Sequence, residues 1–145
     1  MRRVTLIHED GAGPGAPARD LTEEVPPLVQ VRRWAGRALS DLTDDELGDC
    51  LLVVTELVAN AYDHGEGPRR VRLHRLVRPC SVRIEVDDAA PGEVVVGRSR
   101  LGSHRGRGMV LVANLSADWG VEHGERGKTV WAEVACSAPP PGEGS

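Results

Sequence analysis

Hydrophobic residues recur at helical spacing across residues 43–65, which form the strongest structural pattern in the chain. They make one apolar stripe on a predicted helix: Leu47, Leu51, Val54, Leu57, Val58 and Ala61. The helix start is indicated by Thr43-Asp44-Asp45-Glu46, a capping-box pattern in which Thr43 and Glu46 satisfy free backbone N–H groups. Gly65 follows directly after His64 and predicts the helix end.

Shorter patterns predict the remaining elements. A first helix follows Pro26-Pro27 and ends near Ser40, and a third helix starts within Arg105–Gly108. Alternating apolar residues predict two hairpins, one from residues 69–77 and 81–86 and the other from residues 119–121 and 129–134. Residues 2–7 are expected to form an edge strand and residues 93–104 a loop.

This order of elements predicts an α+β fold. We expect a two-layer sandwich, with a mixed, mostly antiparallel sheet and the helices on one face. Residues 1–20 are assigned to an N-terminal strand and flexible linker, and residues 21–136 to the folded domain. Residues 137–145 are rich in Pro, Gly and Ser and are expected to be a disordered tail.

Composition limits the classes of partner. The 145-residue chain has a formal net charge of −4 and a pI of about 5.7, which argues against general nucleic-acid binding. No apolar run approaches the roughly 20 residues of a membrane span, so no membrane association is expected. The three cysteines lie far apart in sequence without metal-ligand spacing, and the protein is expected to be cytoplasmic and reduced.

Two polar residues, Glu56 and Asn60, lie one helical turn apart at the edge of the apolar stripe. Their side chains therefore rise from the same face of the helix. A carboxylate there suits proton transfer, and a carboxamide offers a hard oxygen to a cation. Taken alone, the pair is also compatible with two solvated surface residues.

Two further features lie at predicted element ends. Asp88 follows a strand, where a buried carboxylate would accept a hydrogen bond from an exocyclic amine and favour adenine over guanine. Gly106 and Gly108 lie at a helix start, where backbone N–H groups bind phosphate oxygens. Alone, Asp87-Asp88 is also compatible with a turn, and Arg105-Gly106-Arg107-Gly108 with a flexible loop.

Together and in this order, these features resemble the GHKL ATPase family, which includes gyrase and the sensor histidine kinases. Residues 56–61 are similar to its N box, Val86-Asp87-Asp88 to its adenine-binding Asp box, and residues 105–109 to its second glycine box. Gly127-Lys128-Thr129 is similar to its late Gly-x-Thr. The likeness covers residues 25–136 and is strongest to small stand-alone anti-sigma-factor serine kinases. No phosphoacceptor-histidine domain precedes the ATPase unit, which argues against a sensor histidine kinase.

The resemblance implies a serine/threonine kinase that uses ATP and Mg²⁺. By position, Glu56 is the catalytic base, Asn60 binds Mg²⁺ and Asp88 binds adenine. The remaining nucleotide contacts are assigned to Gly92, Arg105, Gly106, Arg107, Gly108 and Thr129. The implied acceptor is a serine of an anti-anti-sigma (STAS) protein. A sigma factor is the implied second partner, and a homodimer the implied assembly.

One departure from the family pattern keeps a second hypothesis open. The family has Gly-x-Gly after its Asp, whereas Asp88 is followed by Ala89-Ala90-Pro91-Gly92, a stiffer loop that keeps the backbone farther from a nucleotide. The alternative is therefore a nucleotide-responsive protein-binding module without kinase activity. Glu56 beside Asn60 favours the kinase, because a pure binder needs no base.

Overall fold

The computed structural model describes residues 16–90 and 103–137, and for residues 103–108 it describes the backbone alone. Within this part of the chain, helices and strands follow one another in the predicted order, preceded by one additional strand. They are β1 (Ala18–Leu21), α1 (Leu28–Ala38), α2 (Asp44–His64), β2 (Arg69–Val77), β3 (Cys80–Asp88), α3 (Ser103–Leu115), β4 (Asp118–Gly124) and β5 (Gly127–Ala135).

The strands form one sheet in the order β1-β2-β3-β5-β4, and each neighbouring pair is antiparallel. Alternate residues of β3 and β5 point toward the helices and are buried with the apolar sides of α1, α2 and α3. These residues are Val82, Ile84, Val86, Val130, Ala132 and Val134. The predicted α+β sandwich with helices on one face of the sheet is confirmed.

The central helix α2 begins and ends where its sequence predicts. The Thr43 Oγ1 accepts from the Glu46 N–H at 3.2 Å, and the Thr43 N–H donates to Glu46 Oε1 at 3.2 Å, so both capping-box bonds form. At the other end, the Gly65 N–H donates to the Ala61 carbonyl at 2.9 Å. The predicted stripe is mostly buried, and it fixes which side of α2 faces the sheet.

Near the N-terminus the structure adds a strand, and most predictions for the chain ends and the long loop fall on residues that it does not describe. Strand β1 pairs antiparallel with β2, although no strand is predicted at residues 18–21. The predicted edge strand at residues 2–7 lies outside the described residues, as do residues 93–102 of the predicted loop and residues 138–145 of the predicted tail.

The structure corrects the expectation that all cysteines are reduced. Cys80 and Cys136 form a disulfide, with their Cα atoms 5.1 Å apart, because β3 and β5 are neighbours in the sheet. The Cys136 N–H also donates to the Cys80 carbonyl at 3.1 Å. Cys50 is free and buried, and burial together with nearby carboxylates raises the pKa of its thiol to about 12.

The sheet face away from the helices carries a charge network centred on Glu85. His74 Nε2 lies 3.0 Å from Glu85 Oε1, and Arg83 Nε donates to Glu85 Oε2 at 2.7 Å. Burial opposes ionisation of Glu85, but the hydrogen bonds with His74 and Arg83 and the charge of Arg72 outweigh it and lower the pKa to about 2. The Arg83 guanidinium also lies over the Trp131 ring, 4.2 Å from its centroid.

No helix in residues 16–90 and 103–137 combines the length and apolar character that crossing a bilayer requires.

Candidate functional site

The C-terminal half of α2 carries the predicted Glu56 and Asn60 pair. Asn60 is buried, with 8% of its surface exposed, and Glu56 is half-buried. They lie beside Leu57 and Ala61, which anchor α2 in the core. The interpretation of both residues as solvated surface positions is therefore wrong for Asn60. Its burial agrees with the predicted buried rim, and the assignment of Asn60 to Mg²⁺ stays a prediction.

Asp88, the last residue of β3, is buried on the helix side of the sheet, with 4% exposure. Its Oδ1 accepts from the Ala90 N–H at 2.8 Å and from Lys128 Nζ at 3.0 Å. Its Oδ2 is buried and has no hydrogen-bond partner among the described residues. Buried carboxylate oxygens rarely lack a hydrogen bond, so Oδ2 is an acceptor that a bound ligand can use.

Gly65 brings the end of α2 against Asp88. A Cβ atom at Gly65 would lie 2.5 Å from the Asp88 Cγ and 2.6 Å from its Oδ2, closer than packed atoms approach. The next residue continues this contact, because the Glu66 carbonyl accepts from the Ala89 N–H at 2.7 Å. The sequence predicts Gly65 only as a helix stop, but close packing against Asp88 is a second reason for glycine here. The helix that carries Glu56 and Asn60 therefore ends at Asp88.

The β3–β5 register places Lys128, rather than Thr129, beside Asp88. Lys128 is the direct cross-strand partner of Asp88, and Thr129 is the partner of Asp87 on the opposite face of the sheet. There the Thr129 Oγ1 donates to Asp87 Oδ1 at 2.6 Å. The structure thus does not bring the Thr129 side chain to Asp88. The burial of Lys128 could have been predicted from the sequence. Lys128 lies in the same alternating series as the apolar residues Val130 and Val134, so its side chain points to the core.

The second glycine box forms the first turns of α3. Gly106 and Gly108 lie within this helix, which begins at Ser103, two residues before the predicted start. Met109 and Val112 follow them and are buried in the core, where they pack α3 against α2. The side chains of Arg105 and Arg107 and the whole of Gly92 lie outside what the structure describes, so their assignments stay predictions.

A cavity of about 410 Å³ opens at the ends of β3 and β5. Its walls include Asp88 and Lys128, and also Asp87, Thr129 and the turn between β4 and β5. Its volume lies in the range of small-molecule sites. Glu56 and Asn60 are absent from the described residues that line it, so the cavity covers the Asp88 end of the predicted site and not its catalytic end.

Comparison with known proteins gives a family match and several similar solved structures. A family model described as a histidine kinase-like ATPase domain matches residues 21–134. No curated protein matches the chain by sequence. The RsbU and RsbW domains of Rv1364c from Mycobacterium tuberculosis share 19% identity with a TM-score of 0.61, over 86% of this chain and 34% of that one. The histidine kinase domain of the blue-light activated histidine kinase of Erythrobacter litoralis EL346 shares 22% identity with a TM-score of 0.48, over 75% and 59%.

The mycobacterial likeness supports the fold alone, and the present chain spans about a third of that protein. The family match covers most of the chain, from the last residue of β1 to the second-last residue of β5. It includes the helix with Glu56 and Asn60, the buried Asp88, and α3 with Gly106 and Gly108 in its first turns. The chain therefore belongs to the histidine kinase-like ATPase domain family.

Proposed function

We propose that this protein binds ATP with Mg²⁺, holds a sigma factor, and phosphorylates a serine of a STAS-type anti-anti-sigma protein. The observation that carries this proposal is the junction at Gly65. There the helix with the carboxylate of Glu56 and the amide of Asn60 ends against the buried carboxylate of Asp88. The proposed general base, metal ligand and nucleobase-recognition group would thus be held on two rigid elements, α2 and β3.

The residues of this junction fit a nucleotide. Asp88 Oδ2 is a buried acceptor without a hydrogen-bond partner in residues 16–90 and 103–137, and the amino group of adenine is a donor that would satisfy it. Asn60 would supply one oxygen to Mg²⁺, an ion that keeps several waters and takes few protein ligands when it is bound with phosphates. Bound ATP supplies the transferable phosphoryl group. The start of α3 would add backbone N–H groups and positive helix-dipole charge for the phosphates.

The protein's own contribution to the reaction centres on Glu56. Glu56 would accept the proton of the acceptor serine while the new oxygen–phosphorus bond forms and the bond to departing ADP breaks. Asn60, one turn further along the same helix, would hold the metal end of the nucleotide in line with that serine. Since the two residues share one helical face, their spacing is fixed by the backbone of α2.

The proposed partners are proteins, and the proposed compartment is the cytoplasm. A net charge of −4 disfavours nucleic acid as a direct partner. We assign a homodimer as the working assembly, by likeness to anti-sigma kinases. Because disulfides are rare in the cytosol, the Cys80–Cys136 bond would be reduced there under normal conditions and would form on oxidation.

A phosphotransfer assay with labelled ATP and the STAS proteins of the same genome tests the proposal. Glu56→Gln should leave ATP affinity within about twofold, and should reduce phosphotransfer at least roughly a hundredfold, since it removes the base and keeps the shape. Asp45→Asn, which removes an exposed carboxylate from the same helix, is the matched control and should retain full activity. Equal rates for wild type and Glu56→Gln would show that Glu56 is not the base.

A binding module without turnover is the second candidate, and the Asp88–Lys128 ion pair favours it. Asp88 already has a charged partner at 3.0 Å, so the gain from binding a nucleobase is smaller than at an unpaired carboxylate. If wild type binds a sigma factor but phosphorylates no STAS protein, the binding module is correct and the kinase is not.

A further inference from the structure

The chain's single lysine is buried at the predicted nucleobase site. Seventeen of the 18 basic residues are arginine, and the remaining one, Lys128, has 1% of its side chain exposed. The Asp88 side chain beside it is also 1% exposed. Lysine is among the residues least often buried, and an isolated buried ammonium is strongly disfavoured, so this position calls for an explanation.

The Asp88–Lys128 pair has unused hydrogen-bonding capacity of both kinds. Asp88 Oδ1 already accepts two bonds, while Oδ2 accepts none from the described residues. The Lys128 ammonium carries three N–H donors, and Asp88 Oδ1 is the acceptor found for it in the described part of the chain. The pair therefore offers a free acceptor next to free donors, and both residues line the 410 Å³ cavity.

We propose that Asp88 and Lys128 together bind the hydrogen-bonding edge of a purine, and that Lys128 extends recognition from adenine to 6-oxopurines. This inference rests on the proposed nucleotide binding. Adenine presents an amino donor beside the N1 acceptor, and these match Asp88 Oδ2 and Lys128. Hypoxanthine and guanine present the two groups in the reverse order, with the acceptor at O6 and the donor at N1–H. The same two side chains match them when the base is displaced along the site, so that N1–H faces Asp88 Oδ2 and O6 faces Lys128.

Lys128 thereby removes the discrimination that Asp88 alone would provide. An unpaired carboxylate favours the amino group of adenine and repels the O6 carbonyl of a 6-oxopurine. The Lys128 ammonium lies 3.0 Å from the carboxylate and provides that carbonyl with a hydrogen-bond donor. This hydrogen bond offsets the repulsion between the carboxylate and O6. Lysine suits this role because its compact ammonium carries rotatable donors, whereas the planar fork of arginine favours bidentate pairing with the carboxylate itself.

Titration calorimetry with ATP, ITP and GTP in the presence of Mg²⁺ tests this proposal. ITP is the sharpest probe, because it carries the 6-oxopurine edge without the additional 2-amino group of GTP. Wild type should bind ITP within about fivefold of ATP. Lys128→Met, which keeps the chain length and removes the charge, should raise the ratio of the ITP to the ATP dissociation constant at least roughly tenfold. Arg126→Met removes a positive charge from the same cavity and should leave the ratio unchanged.

Two measurements on the wild-type protein keep the test decisive if Lys128→Met fails to fold. The first is the ratio itself, since a preference for ATP over ITP of more than about thirtyfold would overturn the proposal. The second is selective ¹³C labelling of lysine, which gives one side-chain ε-carbon signal. That signal should shift on addition of ITP as well as ATP, and an unmoved signal at saturation would overturn the role of Lys128. Absence of binding to all three nucleotides would overturn the proposed function too, whereas tight ATP binding without ITP binding would overturn this inference alone.

Discussion

Removal of the Cys80–Cys136 disulfide should cost the domain a large part of its stability. The bond joins the first residue of β3 to the residue directly after β5 and closes a loop with a sequence separation of 56. The neighbouring Ser137 N–H and Oγ both donate to Glu46 Oε2, at 2.7 and 2.6 Å. The disulfide therefore also holds the chain end against the capping residue of α2.

The expected magnitude follows from the length of the closed loop. For a loop with a sequence separation of 56, the chain-entropy relation gives a loss of roughly 14 cal/mol/K in the unfolded chain, or about 4 kcal/mol at 25 °C. A loss of 1 kcal/mol lowers Tm by roughly 3–5 °C in a chain of this size. Reduction should therefore lower Tm by roughly 10–20 °C.

Thermal unfolding followed by circular dichroism, with and without a phosphine reductant, measures this effect. The double variant Cys80→Ser/Cys136→Ser should unfold near the reduced wild type and should not respond to reductant. Alkylation under denaturing conditions and intact mass should give one adduct before reduction, at Cys50, and three after it. Three adducts from protein that has been exposed to an oxidant and not reduced again would refute the pairing. A confirmed disulfide with a Tm shift below about 3 °C would refute the loop-entropy reasoning.

Two further predictions concern Glu85 and Gly65. Glu85 is ionised down to about pH 2 in the folded protein but protonates near pH 4.5 when unfolded, so it stabilises the fold above pH 4.5. That contribution, roughly 3 kcal/mol, should be lost as the pH falls from about 4.5 to about 2, and urea unfolding of Glu85→Gln should show a flatter dependence over this range. Gly65→Ala should destabilise the protein by roughly 1–3 kcal/mol, because the added Cβ would meet the Asp88 carboxyl at 2.5 Å. Gly48→Ala on the same helix meets nothing within 4 Å and should stabilise by up to about 1 kcal/mol, and equal effects of the two alanines on urea unfolding would contradict the packing argument.

The features that sequence predicted correctly are those fixed by neighbours along the chain. The capping box at Thr43 and the stripe ending before Gly65 determine the bounds of α2, and both depend on residues within one or two turns. Alternating residues likewise predict β2 and β3. Strand β1 has four residues and no clear alternation, and it forms because β2 offers an edge for pairing, which no local pattern reveals.

Two further features that the sequence did not predict, the Cys80–Cys136 disulfide and the Asp88–Lys128 pair, share one cause, the pairing of β3 with β5. These strands are separated by α3 and β4 in sequence, so their register is a tertiary property. That one register places Cys80 beside Cys136 at one end of the ladder and Asp88 beside Lys128 at the other.

A shift of the β3–β5 register by one residue would place Gly127 or Thr129 opposite Asp88. It would also turn the apolar residues of β5 away from the helices. The buried Val130 and Val134 oppose such a slip through the core, and the disulfide opposes it covalently. The resemblance of Gly127-Lys128-Thr129 to Gly-x-Thr locates the segment that approaches Asp88. The register decides that the residue facing Asp88 is a lysine, and so decides which hydrogen bonds the site can offer to a nucleobase.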